Sequence, residues 1–217
     1  IRGSGGSNGT RNVIITGGGK TSHEAPTEIA SSVITDDATA TSGDYLIATF
    51  HYYQPFNFTS SSADLRDNYS WGSVADKNLI TTRFNEVSTW ASTNDIPVFV
   101  GEFGADNTGG YDYSTGDLNA ISNNATGFAD GGPDNVSKVE YYRYVAELAI
   151  SKGFSFSVWD SGPMSNKTIH KRTDNPSTVN YKRSEFSVTT YNPKVTTVST
   201  VLDTSVWVED VRYALVN

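Results

Sequence analysis

The sequence predicts an α/β protein in which four short strands alternate with helices and form one parallel sheet. Three observations lead to this fold class. Four apolar runs of four to six residues, each bounded by turn residues, have the length and composition of strands. Segments with helical periodicity separate these runs, and polar side chains gather directly after them.

The four predicted strands cover residues 12–16 (NVIIT), 45–50 (YLIATF), 97–100 (PVFV) and 154–159 (FSFSVW). The first three are nearly continuous in apolar and branched residues, which is typical of parallel strands that are covered on both faces. The fourth alternates apolar and polar side chains, so it has one apolar face and one polar face.

Two strong helical patterns lie between the later runs. Over residues 76–93, and again over 136–152, apolar side chains recur every three to four residues and form one stripe. Gly153 follows the second pattern and predicts a left-handed cap there. Weaker signals predict a short helix at 27–33 and another near the C-terminus, whose stripe is formed by Trp207, Val208, Val211 and Leu215.

The order of strands and helices predicts right-handed crossovers within a single domain over residues 1–217. Two long loops interrupt the pattern, at 105–134 and at 162–201. Loops of this length are uncommon in compact domains unless they carry function. Shaping of a cleft and simple surface insertion are equally good interpretations of each loop.

Charge and composition exclude several classes of function. The 217 residues include 16 Lys and Arg against 24 Asp and Glu, a net charge of −8, which disfavours nucleic acid and anionic membranes as partners. The absence of cysteine excludes disulfides, thiolate metal sites and a cysteine nucleophile. No apolar run reaches the length of a membrane span. Nucleotide-binding and zinc-protease motifs are also missing, so we expect no cofactor and no metal.

Three candidate catalytic residues follow the second and third predicted strands. Glu102 lies in a Gly-Glu-Phe-Gly segment, where a carboxylate is held by rigid backbone at the carboxyl end of a strand. In the segment after the second strand, alternation places His51 and Tyr53 on one face and Tyr52 on the other. A histidine and a tyrosine beside a carboxylate can hydrogen-bond it and keep it ionised.

Trp159 and Asp160 end the fourth predicted strand. An indole face stacks on the C–H face of a sugar ring, so a tryptophan in this place suits carbohydrate. Glycoside hydrolysis needs a carboxylate that attacks or stabilises an oxocarbenium-like centre, and Glu102 is suited to that role. Each residue taken alone also fits a structural role: Glu102 as a turn cap, His51 as a core histidine and Trp159 as a plug at the sheet end.

Five segments carry a family resemblance: residues 2–8 (RGSGGSN), 51–55 (HYYQP), 71–73 (WGS), 96–104 (IPVFVGEFG) and 158–162 (VWDSG). In this order they resemble glycoside hydrolase family 5, in its cellulase-like, endo-β-1,4-glucanase branch. The resemblance covers roughly residues 1–162, and the tail matches poorly apart from 167–169. It implies a (β/α)8 barrel and retaining hydrolysis of β-glucosidic bonds.

The resemblance also implies roles for individual residues. Glu102 matches the family's catalytic nucleophile, and His51 and Tyr53 match the residues that hydrogen-bond it and the sugar. Trp159 matches the platform beneath the sugar, and we expect Tyr52 to contribute to substrate binding. The implied partner is a β-glucan or β-glucoside, and the implied activity is of β-glucosidase or endo-β-1,4-glucanase type. We expect the protein to be secreted.

The sequence departs from the family at the general acid. The family's acid/base glutamate lies in an Asn-Glu-Pro motif that ends the fourth strand, and no such motif occurs here. Asn85-Glu86-Val87 lies inside a predicted helix and does not replace it. The segments for the family's first four strands are missing as well. The resemblance therefore predicts half of a (β/α)8 TIM barrel, with four βα units.

Half a parallel barrel would expose two unpaired edges and an apolar inner face. If the 217 residues are the whole protein, we predict a symmetric homodimer that closes an eight-stranded barrel, or a split barrel. Such closure would place Asp160 of the partner subunit near the position of the missing acid, which makes it a candidate acid. We expect weak hydrolysis that favours activated β-glucosides, because these need little help from an acid.

Two other hypotheses stay open. The chain could be a non-catalytic carbohydrate-binding remnant of a cellulase-like barrel, which uses Trp159 and the tyrosines without turnover. It could also be one fragment of a longer enzyme whose remaining part carries the Asn-Glu-Pro strand. The first hypothesis differs from the enzyme hypothesis at Glu102, because only hydrolysis requires that carboxylate.

Overall fold

A computed structural model describes residues 4–39, 45–60, 68, 70–106, 111–112, 117–118, 133–160, 167, 169–172, 205–207 and 209–216. The elements in chain order are β1 (Val13–Ile15), α1 (Ser31–Thr39), β2 (Leu46–Tyr52), α2 (Phe56–Thr59), α3 (Val74–Asn94), β3 (Val98–Phe103), β4 (Tyr111–Asp112), β5 (Asp117–Leu118), α4 (Asn135–Ser151), β6 (Ser155–Phe156), β7 (His170–Arg172), β8 (Ser205–Trp207) and α5 (Glu209–Val216).

The chain divides into two compact units. The first consists of Ile1–Tyr53, Ser73–Phe103 and Tyr144–Val158. The second consists of Gln54–Gly72, Gly104–Arg143 and Trp159–Asn217. Each unit is therefore assembled from segments that are distant in sequence.

The first unit contains a four-stranded sheet in the order β1-β2-β3-β6. All three neighbouring pairs are parallel, which confirms the predicted α/β class with one parallel sheet. Strands β2 and β3 run further than their apolar runs, through Tyr52 and Phe103, because the backbone ladder continues beneath polar side chains. Strand β6 is shorter than the predicted 154–159. Closure into a half-barrel dimer stays a prediction.

One face of the sheet forms the core of the first unit. Burial alternates along β2, and the ring of Phe50 meets Phe84 edge-on at 5.4 Å and Phe154 at 6.4 Å. Helix α3 covers this face with its buried residues Ile80, Phe84 and Val87, the stripe that the sequence predicts. The opposite face of β2, with Thr49 and His51, is only half-buried.

Both long helices lie close to their predicted positions. Helix α3 begins with a capping box, in which the Ser73 hydroxyl accepts from the Asp76 N–H at 3.2 Å and the Asp76 carboxylate accepts from the Ser73 N–H at 3.0 Å. It ends at Asn94, and the next residue, Asp95, caps it with a left-handed φ of 53°. After α4, Gly153 has a φ of +72°, which confirms the predicted left-handed cap.

The weaker helix predictions shift in the structure. Instead of one helix at 27–33, a 3₁₀ turn at Pro26–Glu28 precedes α1. Near the C-terminus Trp207 lies in β8, which pairs antiparallel with β7, so the helix starts after it. Val208, which we placed in the same stripe, lies outside the described residues.

The second unit has an aromatic core of its own. Trp71 meets Tyr141 edge-on at 5.3 Å, and Phe58 lies 5.6 Å from Tyr141. The backbone N–H of Trp71 donates to the Ser137 hydroxyl at 2.9 Å, which satisfies a buried donor.

Little of the two predicted long loops is described. The loop at 105–134 includes the antiparallel pair β4–β5, and much of its remainder lies outside the described residues. The loop at 162–201 is described only at 167 and 169–172, where β7 lies. In the described parts of the chain, no helix has both the length and the apolar character needed to cross a membrane.

Candidate active site

Parallel pairing of β2 and β3 brings the predicted catalytic residues together. In this pairing His51 stands opposite Glu102, and Tyr52 stands opposite Phe103. Tyr53 follows the last residue of β2. Because the carboxyl ends of parallel strands meet at one edge of the sheet, the three polar side chains converge there.

A bulge decides the face on which Glu102 lies. Phe50 pairs with Val100, but the next residue, His51, pairs with Glu102, so Gly101 is the extra residue. Strict alternation after the buried Val100 would direct Glu102 into the core as well. The extra residue reverses this parity and sets Glu102 on the half-buried face beside His51.

Gly101 fits at the bulge because it has no side chain. A Cβ added there would lie 2.7 Å from Thr49 Oγ1 and 3.4 Å from His51 Cδ2. Thr49 is held in place, since its hydroxyl donates to the Phe99 carbonyl at 2.9 Å. On the other side, the Ser157 hydroxyl donates to the Gly101 carbonyl. The backbone that carries Glu102 is thus bonded from both neighbouring segments.

Two side chains orient the Glu102 carboxylate, one on β2 and one directly after that strand. The Tyr53 hydroxyl donates to Glu102 Oε2 at 2.9 Å, and His51 Nδ1 lies 3.2 Å from the same oxygen. The side chains of His51 and Glu102 are 31% and 25% exposed, so the carboxylate is ordered yet open to a ligand. Among the described residues, no three His, Asp or Glu side chains are grouped to hold a metal ion.

Tyr52 lies apart from this group, although we predicted it to bind substrate. Its side chain is 1% exposed and meets Phe84 edge-on at 5.3 Å. Burial raises the pKa of the Tyr52 hydroxyl to about 12, against a smaller lowering by Arg83. The alternation that directs His51 to the open face directs Tyr52 into the core, so in this structure Tyr52 packs beneath the site.

Trp159 and Asp160 belong to the second unit. The Trp159 residue is 39% exposed, which leaves part of the indole accessible to a sugar face. Its carbonyl oxygen lies 3.6 Å from the position that a Cβ on Gly104 would take. Asp160 is half-buried, and its Oδ2 accepts from the Ile169 N–H at 3.0 Å. The candidate acid therefore has a structural hydrogen bond in this chain.

A buried ion pair in the second unit escaped the sequence-based interpretation. Lys167 Nζ lies 2.6 Å from Asp106 Oδ1, and the two side chains are 17% and 2% exposed. Lys167 also donates to the Ser60 hydroxyl at 3.1 Å. The partners are 61 residues apart, so no local pattern could have indicated the pair.

Tyr142 holds the segment that contains Asp106. Its hydroxyl donates to the Ala105 carbonyl at 3.2 Å and accepts from the Ala105 N–H at 3.1 Å. Complete burial raises the pKa of the Tyr142 hydroxyl well above its usual value, and the carboxylates of Asp106 and Asp160 raise it further. Tyr142 therefore stays neutral and acts as both donor and acceptor.

Replacing Tyr53 with Phe tests the geometry around the carboxylate. For the β-glucosidase activity that the sequence predicts, we expect kcat/KM with an aryl β-glucoside to fall roughly 10- to 100-fold, because a hydrogen bond to a charged group contributes about 1.5–3 kcal/mol. The melting temperature should barely move, since the ring is retained. Tyr213→Phe, at an exposed tyrosine, is the matched control. An unchanged kcat/KM in Tyr53→Phe would contradict a role for this hydroxyl.

A comparison with known protein families shows which family the chain belongs to. The model of the cellulase family, glycosyl hydrolase family 5, matches residues 1–165. The chain belongs to glycosyl hydrolase family 5. The matched range contains the Glu102 group and Trp159, and it agrees with the extent of the resemblance seen in the sequence motifs.

Two relatives of this family 5 chain carry the name endoglucanase. Endoglucanase H of Acetivibrio thermocellus is 33% identical over 155 residues, which are 71% of this chain and 13% of the relative. Endoglucanase B of Paenibacillus lautus is 27% identical over 174 residues, which are 80% of this chain and 26% of the relative. The chain thus spans well under a third of either relative.

Solved structures extend the likeness to the fold. A hyperthermophilic endo-β-1,4-glucanase, solved in complex with substrate, matches with a TM-score of 0.54 and 25% identity over 76% of this chain and 44% of that chain. A clostridial cellulose synthase subunit from Clostridioides difficile matches with a TM-score of 0.59 over 97% of this chain and 51% of that chain. Its 18% identity supports the fold alone.

Proposed function

We propose that this chain hydrolyses β-glucosidic bonds by a retaining mechanism in which Glu102 is the nucleophile. One observation carries the proposal: Glu102 stands at the carboxyl end of a parallel strand, 25% exposed, with Tyr53 and His51 against the same carboxylate oxygen. Family membership supports the same assignment.

In the proposed first step, Glu102 Oε1 attacks the anomeric carbon. Tyr53 and His51 both contact Oε2, so Oε1 is the oxygen that faces the sugar. The bond from the anomeric carbon to Oε1 forms as the bond to the leaving-group oxygen breaks, and an acid protonates that oxygen. In the second step water attacks the same carbon, gives up a proton to a base and releases Glu102 as a carboxylate.

This mechanism also needs a general acid that protonates the leaving-group oxygen. The 217 residues contain no Asn-Glu-Pro motif. We propose that a second copy of the chain supplies the acid, through Asp160 of the partner subunit, in a dimer that closes the barrel. The described sheet supports this proposal, because β1 and β6 are its two outer strands and Ile14 on β1 is 53% exposed. Open edges of this kind invite pairing with another chain.

For the substrate, we propose a β-1,4-linked glucan together with small activated β-glucosides. The names of the two endoglucanase relatives support a glucan. An activated aryl leaving group departs with little protonation, so it tests Glu102 without requiring the acid. A polymeric glucan cannot enter a cell, and we therefore also propose that the protein acts outside it.

A solution mass measured beside turnover tests the proposal. We expect a particle of twice the chain mass of 23.5 kDa at micromolar concentration, and release of aryl alcohol from an aryl β-glucoside. The rate at which unactivated cello-oligosaccharides are cleaved measures the contribution of the general acid. General acid catalysis typically raises such a rate about 10²–10⁴-fold. A monomer would overturn the dimer. Absence of turnover on both substrates would overturn the hydrolase.

A second candidate function is carbohydrate binding without hydrolysis. The 39% exposure of Trp159 favours it, because an accessible indole can hold a sugar whether or not a bond is cleaved. Under this alternative the chain binds cello-oligosaccharides but releases no product, and the Glu102 carboxylate is dispensable.

A further inference from the structure

We infer that Lys167 is a positioning residue, whose ion pair with Asp106 holds Trp159 in place so that the indole is presented to sugar. The inference rests on the proposed role of Trp159 as a sugar contact. It adds a residue pair that acts on sugar binding from beneath the surface, without touching the sugar.

The ion pair joins three loops of the second unit. Lys167 lies in the loop after β6, Asp106 in the loop after β3, and Ser60 follows α2 in the loop after β2. The ammonium lies 2.6 Å from the Asp106 carboxylate and donates to the Ser60 hydroxyl at 3.1 Å. A lysine ammonium has three donors, so one side chain can hold several loops at once.

Asp106 is a fixed anchor for this lysine. Its side chain is 2% exposed, and its N–H donates to the Thr59 carbonyl at 2.9 Å. The preceding residue, Ala105, is held by the two hydrogen bonds to Tyr142. A carboxylate this deeply buried needs compensation from a nearby cation, which Lys167 supplies at close range.

Two contacts connect this anchor to Trp159. The Trp159 carbonyl packs against Gly104, two residues before Asp106. The carboxylate of Asp160 accepts from the Ile169 N–H, so it joins the start of the segment to a point two residues beyond Lys167. Trp159 and Lys167 therefore each contact residues 104–106, Asp160 joins them through Ile169, and these contacts set the orientation of the indole.

A lysine with a purely structural role would affect stability alone, and paired substitutions separate the two roles. Lys167→Met leaves Asp106 buried without this cation, so we expect a large fall in melting temperature. Lys167→Met combined with Asp106→Leu removes both charges, and we expect it to recover most of that fall. Lys20→Met with Glu24→Leu removes an exposed ion pair and is the matched control.

The readout is binding of cellotetraose, followed by calorimetry in a Glu102→Gln background so that the sugar stays intact. We expect the Lys167→Met/Asp106→Leu protein to bind about tenfold or more weakly while its melting temperature stays near that of the parent. In a Trp159→Ala background the same pair should have little further effect, because the two act through one contact. Lys167→Arg should retain most of the affinity.

The inference is overturned if the charge-free pair binds cellotetraose as tightly as the parent. It is also overturned if its effect adds fully to that of Trp159→Ala, or if the parent fails to bind the sugar. The hydrolase proposal fails in a different measurement, namely when the wild type binds cellotetraose but releases no product. The two failures are therefore distinguishable.

Discussion

Glu102→Gln is expected to reduce the rate of hydrolysis of an aryl β-glucoside by roughly 10⁴-fold or more. Losses of this size are typical when the nucleophile is removed from a set of catalytic residues that act together. The amide can still accept from Tyr53, so the fold and the site shape should persist. It cannot form the glycosyl ester. Binding of cellotetraose should stay within a fewfold of the wild type, which separates the hydrolase from the binding-only alternative.

Glu86→Gln is the matched control for this substitution. Glu86 lies on α3, its side chain is 59% exposed and it lies 3.8 Å from His23. It also lies in the sequence Asn-Glu-Val, which resembles the Asn-Glu-Pro acid motif but is inside a helix. Turnover should be unchanged in Glu86→Gln. Equal losses in the two variants would contradict the assignment of Glu102.

Small nucleophiles extend the Glu102 test to the stereochemistry. In Glu102→Ala, azide is expected to restore release of aryl alcohol from an aryl β-glucoside, because azide occupies the space of the missing carboxylate. Azide forms the new bond to the anomeric carbon as the bond to the aryl oxygen breaks, so the product is an α-glucosyl azide. A β-configured azide would instead indicate that Glu102 acts as the acid/base.

Gly101→Ala is expected to destabilise the protein by about 1–3 kcal/mol, the usual cost of adding a methyl group to a filled site. The new Cβ would lie 2.7 Å from Thr49 Oγ1, and a β-branched threonine has little rotamer freedom to move away. The adjacent Glu102 and His51 would shift with the strand, and a displacement of about 1 Å can reduce turnover roughly 10²-fold. Chemical denaturation and kcat/KM measure the two effects.

Gly9→Ala provides the control for this prediction, because a Cβ at Gly9 meets nothing within 4 Å. Its stability should change by less than about 0.5 kcal/mol. Combining Gly101→Ala with Thr49→Ala removes the crowded oxygen and should return part of the lost stability. A Gly101→Ala protein with wild-type stability and turnover would show that the bulge tolerates a side chain.

The strands and helices were largely predictable because their signals are local. The apolar stripe over residues 76–93 and the glycine at 153 indicate a helix and its end through neighbours a few residues away. Strand ends were predicted less well. Strand β3 continues through Glu102 and Phe103, since its hydrogen-bond ladder depends on β2 rather than on the hydrophobicity of its own residues.

The candidate site was predicted in part. His51, Tyr53 and Glu102 were selected as polar residues at strand ends, and the structure brings His51 and Tyr53 each within reach of the Glu102 carboxylate. Tyr52 was expected at the sugar, but the side-chain alternation of β2 buries it. The ion pair of Lys167 with Asp106 was missed, because the two residues are 61 positions apart and no local pattern joins them.

By itself, the sequence determined the α/β class, the parallel sheet, the position of both long helices and the family, because periodicity, turn residues and motifs are properties of short segments. Only the tertiary structure decided which face Glu102 occupies, since this depends on the bulge at Gly101 in the pairing of β3 with β2. It also decided that Lys167 meets Asp106, because a contact across 61 residues arises from folding and leaves no local mark in the chain.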